Sequence, residues 1–400
     1  MTKNSFFLAA LIVCCSLLSC NDQQKSSELY SYPDWKEEVL FSQKGKDLFI
    51  FLTGDLKNNL YPHTELKKAG LPKELPHSIK VGGAPILKSY LDTIQKRLGS
   101  KSIVLSHGNF DLYYGDKRIS SSLQKVSPNL KVDGLLIGPE DLLPQNHQSY
   151  AFDQMKDLNW LSSNILAIQT GKPTDQWNSS ASLIFEREGI KVGVIGITSY
   201  ELLGPRQRSS LAGYYFQDPV TSILRTKNQF KKEGVDFIIL LHHGVGNCQR
   251  PETFEFPLAF AKLPETQKCD DRFEPKEILD RLPPGTLDLV LSNFDGAASF
   301  NHKGTPVIGQ FDAKKFLTGI RVTLDNDKTD INNSYFLAPL KLCHQTFAGT
   351  KDCVLSTGNS ELDEERTEIL TRSSFHLLPA KFFGYEITED IPTLKTINGR

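Results

Sequence analysis

Imidazole, carboxylate and amide side chains stand just past short apolar runs at five places in this chain. Asp55 follows the run at 48–53. His107, Asn109 and Asp111 follow 102–106, and Glu140 and Asp141 follow 132–137. His242 and His243 close the run at 235–241, and Asn293 and Asp295 follow 287–292. These are the groups that carry protons or hold a divalent cation. Turns after strands collect Asp, Asn and Gly for capping reasons alone. A His-His pair is no capping device, so the five turns together point to a site.

The apolar runs, together with 191–197, have the length and Val, Ile, Leu and Phe content of buried strands. Between them, residues 84–98 place Ile86, Leu87, Tyr90, Leu91 and Ile94 on one helical face, and 220–233 is a second helix. Strand alternating with helix predicts an α/β fold, whose strand carboxyl ends are where ligands bind. Residues 182–186 and 191–197, joined through Arg187, Glu188 and Gly189, predict an antiparallel hairpin, so the sheets are expected to be mixed. Past Asp325 the pattern loosens. A strand within 335–342, a loop between Cys343 and Cys353 and a charged helix at 361–372 predict that 331–400 is an extension packed on a main domain spanning 46–330.

The start of the chain bears on compartment. Lys3 precedes an uninterrupted apolar or small run at 6–18, too short to span a membrane and of signal-peptide type. Leu17-Leu18-Ser19-Cys20 resembles a bacterial lipobox. That resemblance implies cleavage before Cys20, acylation of that cysteine and a stable membrane anchor through several acyl chains. Residues 1–20 are thus read as a lipoprotein signal peptide and 21–45 as a tether, giving an extracytoplasmic protein of the bacterial cell envelope that faces the periplasm or the cell surface.

Lys plus Arg number 46 against 47 Asp plus Glu, so no global field draws the chain to nucleic acid. Beyond the leader and Cys20, the cysteines are Cys248, Cys269, Cys343 and Cys353. In an oxidising compartment four cysteines predict two disulfides, and proximity favours Cys248 with Cys269 and Cys343 with Cys353 among the three connectivities. The alternative is a zinc site combining these thiols with His242 or His243.

Several segments, in order, resemble the metallophosphoesterases, the calcineurin-like superfamily, and within it the catalytic domain of the 5′-nucleotidase family. Phe51-Leu52-Thr53-Gly54-Asp55-Leu56-Lys57 with Tyr61-Pro62 lies over that family's T-N-D-x-H and E-P opening. Lys80-Val81-Gly82-Gly83-Ala84 is similar to its K-x-G-G-x-A helix start. Residues 190–198 are close to a consensus strand, 234–243 resemble G-A-D-x-I-I-x-L-S-H, and Gly304-Thr305-Pro306-Val307-Ile308 with Gly319 matches the end of the domain. The resemblance covers roughly residues 46 to 325 and implies two mixed β-sheets packed face to face with helices outside, a four-layer sandwich. It also implies two adjacent divalent cations that activate water against a phosphate ester, which requires a bridging carboxylate and several His, Asn or Asp donors.

Most of those donors are replaced. Asp55 matches the first ligand, but the next histidine is Lys57, a cation that donates and does not accept. The bridging aspartate corresponds to Asn109. The family's G-N-H-E falls on Gly138-Pro139-Glu140-Asp141, and its closing G-H-x-H on Asn293-Phe294-Asp295-Gly296. His243 matches the fourth motif. The implied metal set is therefore Asp55, Asn109 and His243, with His107, Asp111, Glu140, His242 or Asp295 as recruits, and Lys57, His107 and Glu140 as catalytic candidates. The expectation is a lipoprotein whose hydrolysis is lost or weak and whose cleft or outer surface serves binding. The alternative is an active phosphoesterase or nucleotidase with a remodelled site, either using Mn, Zn, Fe or Ca or working without metal through Lys57. The ligand expected from the resemblance is a phosphate-containing small molecule, and no protein partner is indicated.

Overall fold

A computed structural model describes residues 45–54, 60–67, 73, 75–109, 125–142, 157–172, 179–211, 213–246, 248, 257–265, 269–293, 299–310, 315–325, 328–348, 352–355, 360–372 and 374–398. Eight strands position the turns of interest: β1 (Lys46–Thr53), β2 (Ser102–Ser106), β3 (Gly134–Leu136), β4 (Ile190–Thr198), β5 (Phe237–His243), β6 (Leu289–Ser292), β7 (Thr305–Gly309) and β8 (Phe316–Asp325). β1, β2 and β3 run parallel within a ten-stranded sheet, with β8 antiparallel to β1. β4, β5, β6 and β7 run parallel in a six-stranded sheet, whose edges are Ser182–Arg187 and Ser299–His302, each antiparallel to its neighbour. Both sheets are mixed, and the hairpin into β4 is antiparallel as its sequence predicts.

Strand alternation divides the apolar residues among three layers. Leu48, Ile50 and Leu52 of β1 meet Val192 and Val194 of β4 and Ile239 and Leu241 of β5 in a core between the sheets. Phe49 and Phe51 face the other way, onto Ile86, Leu87, Tyr90, Leu91 and Ile94 of helix α1 (Ala84–Leu98). Ile195, Ile197, Ile238, Leu240 and Val290 cover the second sheet's outer face beneath helices α2 (Pro219–Glu233) and α3 (Glu274–Arg281). The result is a four-layer sandwich of helix, sheet, sheet and helix. α2 starts where Asp218 caps the Thr221 N–H at 2.9 Å with Pro219 in the first turn, and it ends at Gly234 in the left-handed conformation.

Two glycines in β4 show how tightly the layers close. A Cβ at Gly193 would fall 2.4 Å from the Phe230 ring of α2, and one at Gly196 would fall 2.5 Å from Leu161 across the inter-sheet core. Registers then align the strand ends: Thr53 lies opposite Ser106, Ser106 opposite Leu135, Thr198 opposite His243, and His242 opposite Ser292. The parallel strands of each sheet therefore deliver their carboxyl-terminal turns to a common edge.

The segment after Asp325 packs on the sandwich. Tyr335–Phe336 and Leu340–Lys341 add to β8, the Tyr90 hydroxyl donates to the Cys343 carbonyl at 3.1 Å, and Phe382 packs on Tyr90 with ring centroids 5.2 Å apart. Disulfides join Cys248 to Cys269 and Cys343 to Cys353. This corrects the zinc alternative, since all four of its thiols are consumed in covalent pairs.

Gly196→Val is expected to destabilise the protein by about 2 kcal/mol or more, because the branch must displace Leu161 in a filled core. A urea midpoint that matches the parent would contradict this account of the inter-sheet packing.

Candidate functional site

Alternation along β5 sends its two terminal histidines to opposite sides. Phe237, Ile239 and Leu241 face the inter-sheet core while Ile238 and Leu240 face the helices, so His242 continues outward and His243 inward. β6 repeats the pattern, with Leu289 and Leu291 inside and Val290 outside. Accordingly Ser292 meets His242, Oγ to Nδ1 at 3.0 Å, and Asn293 meets His243, Nδ2 to Nε2 at 2.5 Å.

His243 is buried and its tautomer is fixed by its partners. Nδ1 donates to the His107 carbonyl at 3.2 Å, which leaves the lone pair on Nε2. Two amide nitrogens converge on that lone pair, Asn293 at 2.5 Å and Asn109 at 3.4 Å. His107, also buried, donates from Nδ1 to Gln310 Oε1 at 2.8 Å, and its Nε2 lies 3.4 Å from the Leu291 carbonyl. Burial pushes the His107 imidazole down to about 4, against the opposing effect of its Gln310 and Leu291 contacts. Burial, reinforced by the neighbouring His107, pushes His243 down to about 3. Both are neutral imidazoles at neutral pH.

His242 belongs to a separate row on the helix side. Its Nε2 lies 3.4 Å from Glu274 Oε2 of α3, longer than a good hydrogen bond, and Val245 N–H reaches the same oxygen at 3.3 Å. Burial would raise the Glu274 carboxyl, but contacts from His242, Ser199 and the Val245 amide outweigh it and hold the group below its ordinary value.

Asn109 owes its position to a carboxylate that the sequence places one turn away. Asp141 Oδ2 accepts the backbone N–H groups of Asn109 at 2.8 Å and Gly138 at 2.9 Å, tying the turn after β2 to the turn after β3. Gly108 must be glycine here, since a Cβ would lie 1.9 Å from the Leu136 carbonyl. Asn109 itself takes a left-handed φ of 52°, a conformation asparagine tolerates.

The structure thus brings His107, Asn109 and His243 together, with Asn293 and Gln310, and places His242 on the other face of its strand. Asp55, Lys57, Asp111, Asp295 and the side chain of Glu140 lie outside the described residues. Gln310 was open to detection, because it follows the apolar run of β7 as the other site residues follow theirs. Glu274 gives no local sign, and neither does the anchoring role of Asp141.

Would this set hold the cations that the family resemblance implies? Among the described residues, no three His, Cys, Asp or Glu side chains converge on a common point. The groups around His243 Nε2 are neutral amides, and Asp141 is turned to backbone N–H groups. Two adjacent cations repel and require a bridging carboxylate. The described donors do not fit such a pair. One buried acceptor, Asn293 Oδ1, has no hydrogen-bond partner among the described residues.

No protein-family model matches the sequence, and no curated protein does. Solved structures do match in fold. The 5′-nucleotidase precursor of Thermus thermophilus superposes with a TM-score of 0.53 at 15% identity, over 74% of this chain and 54% of that one. The Haemophilus influenzae NAD nucleotidase gives 0.54 at 14% identity, over 89% and 67%. The Thermus thermophilus sulfate thiohydrolase SoxB gives 0.55 at 14% identity, over 85% and 63%. This chain spans between 54% and 67% of the length of these proteins. The chain shares the fold of these nucleotidases and of the thiohydrolase.

The buried histidines set a pH dependence. Each has a folded-state pKa below its unfolded value near 6.5, so the unfolded chain binds more protons and stability is complete above that value and lost as pH falls toward about 4 for His107 and about 3 for His243. At pH 5 each is expected to remove about 2 kcal/mol relative to pH 8. Urea midpoints at the two pH values check this, and His107→Gln is expected to flatten the difference by roughly half.

Proposed function

We propose that this chain is a membrane-anchored, extracytoplasmic lipoprotein that uses a metallophosphoesterase fold for binding, with phosphate-ester hydrolysis lost or weak. The observation that carries the reading is the environment of His243 Nε2. In a catalytic centre that lone pair would face a cation held by carboxylates. Here two neutral amides meet it, and the described residues supply no carboxylate beside it. Loss of a bridging carboxylate and of a group that protonates the leaving oxygen removes transition-state stabilisation of several kcal/mol each.

Extracytoplasmic location is supported by the two disulfides, which persist in oxidising compartments. Anchoring rests on Leu17-Leu18-Ser19-Cys20. Among the described residues, no helix is long and apolar enough to cross a membrane.

Protein purified from its native envelope is expected to carry substoichiometric Mn, Zn, Fe and Ca by elemental analysis, and to leave bis(4-nitrophenyl) phosphate and nucleoside monophosphates intact when each ion is supplied. Metal-dependent turnover that His243→Ala abolishes would overturn the reading. Separately, Cys20→Ser is expected to end palmitate incorporation and shift the protein from the detergent phase to the aqueous phase on phase partitioning; continued labelling would refute the anchor.

A further inference from the structure

The turn that follows His243 is tied to the start of α3 by a covalent bond and by hydrogen bonds that are all long. Cys248 joins Cys269, and the two residues also pair as an isolated antiparallel bridge. Nearer the strand end, the Glu274 N–H donates to the Val245 carbonyl at 3.3 Å, the Val245 N–H donates to Glu274 Oε2 at 3.3 Å, and His242 Nε2 stands 3.4 Å from that same oxygen. Each distance exceeds that of a good nitrogen–oxygen hydrogen bond. A Cβ at Gly246 would lie 2.5 Å from the Phe273 Cα, and one at Gly244 would lie 2.5 Å from Glu274 Oε2, so the turn packs directly on the helix start. Neither glycine offers a side chain to hold that fit, and the register of turn against helix depends on the disulfide.

Release of the turn reaches the cleft. The His243 carbonyl accepts the Ser199 N–H at 2.8 Å, and its ring meets Asn109 and Asn293. The helix side holds without the covalent bond. Phe273, Ile278 and Leu279 are buried in the outer-face core, with the Phe273 and Phe300 ring centroids 5.7 Å apart. Opening the disulfide thus loosens the turn and leaves α3 in place.

Access separates this disulfide from the other. Cys248 is 7% exposed, Cys343 4% and Cys353 0%, whereas Cys269 is half-buried. Exchange requires an attacking thiolate to reach a sulfur, and Cys269 gives the open approach. The loop of Cys343 and Cys353 is also braced by shorter bonds, from the Phe347 N–H to the Asp352 carbonyl at 2.7 Å and from Arg366 Nη1 to Asp352 Oδ2 at 2.8 Å.

We propose that Cys248–Cys269 is a redox-sensitive latch, opened by an extracytoplasmic dithiol, that sets the order of the strand end carrying His243; its bearing on function rests on the reading of that edge as the binding cleft. A thiolate of the dithiol attacks Cys269 Sγ, the Sγ–Sγ bond breaks, and Cys248 leaves as a thiolate that takes up a proton. The second thiol of the dithiol then displaces Cys269, which leaves the protein with a pair of thiols and the dithiol oxidised to a disulfide.

The test treats the mature lipidated protein in detergent with graded dithiothreitol and no denaturant, maps alkylated cysteines by mass spectrometry, and compares amide hydrogen exchange in the oxidised and reduced forms. Cys248 and Cys269 are expected to be alkylated about tenfold faster than Cys343 and Cys353. On reduction, exchange is expected to quicken about tenfold at 243–248 and at Ser199, whose N–H reports on the His243 carbonyl, to stay unchanged within β1, and to recover on reoxidation. The double variant Cys248→Ser, Cys269→Ser is expected to exchange rapidly at those positions with or without reductant. The proposal is overturned if both disulfides reduce at one rate, if strand-end exchange is unchanged on reduction, or if reduction unfolds the whole protein, since the bond then belongs to the scaffold. Metal content and ester turnover enter none of these readouts, so the latch can fail while the non-catalytic reading stands, and the reverse.

Discussion

The bond from His243 Nδ1 to the His107 carbonyl decides the chemistry of the cleft. It links the ends of two strands in different sheets, and it fixes which imidazole nitrogen faces the groups beyond. With the lone pair committed to Nε2, the neighbouring amides must present nitrogen rather than oxygen. Asn109 and Asn293 are thereby read as donors to a base, where carboxylates in their places would have made a cation trap. The same bond turns the Asn293 oxygen away from the ring.

Neutral histidines in this position cost less than a charged site without its counter-ions. Burying an ion unpaired is prohibitive, whereas a buried imidazole that meets an amide and a carbonyl keeps most of its hydrogen bonding. His107 achieves this through Gln310 and His243 through Asn109 and Asn293. Amides at these three positions are thus mutually consistent. A single carboxylate at position 109 or 293 would set a negative charge against the His243 Nε2 lone pair and gain little cation affinity.

The layering of the fold was legible because it depends on strongly periodic features. The runs around Leu48, Val192, Phe237 and Leu289 are buried on both faces, and the Ile86 to Ile94 stripe packs as its spacing implies. The identity of the strand-end turns was legible too, since polarity changes abruptly there. What the sequence could not show is which face each turn residue takes. His242 and His243 are adjacent and look like a pair, yet a period of two separates them into different environments. Glu274 reaches His242 from a helix well downstream, and Asp141 spends its charge on backbone N–H groups that no motif advertises. Composition predicts a single strand within 335–342, whereas Tyr335–Phe336 and Leu340–Lys341 are two short additions, because the break between them is set by their separate pairing with β8.

Fold and chemistry separate cleanly in this architecture because they are held by different layers. The core between the sheets and the two helix-covered faces are built from apolar side chains below the strand ends. Strand-end turns must satisfy their own polar groups and hold a backbone geometry, which Gly108, Asn109 and Asp141 do through close backbone packing and hydrogen bonds to main-chain N–H groups. Ligand residues can therefore change type while the sandwich stays intact, and low sequence identity with a shared fold is the expected outcome. For such a protein the scaffold limits where a ligand sits, at the carboxyl ends of the parallel strands, and the donor and acceptor pattern on that floor determines what the ligand is. On the proposed reading, the amides and neutral imidazoles among the described residues would select by hydrogen-bond matching, where carboxylates and cations would select by charge.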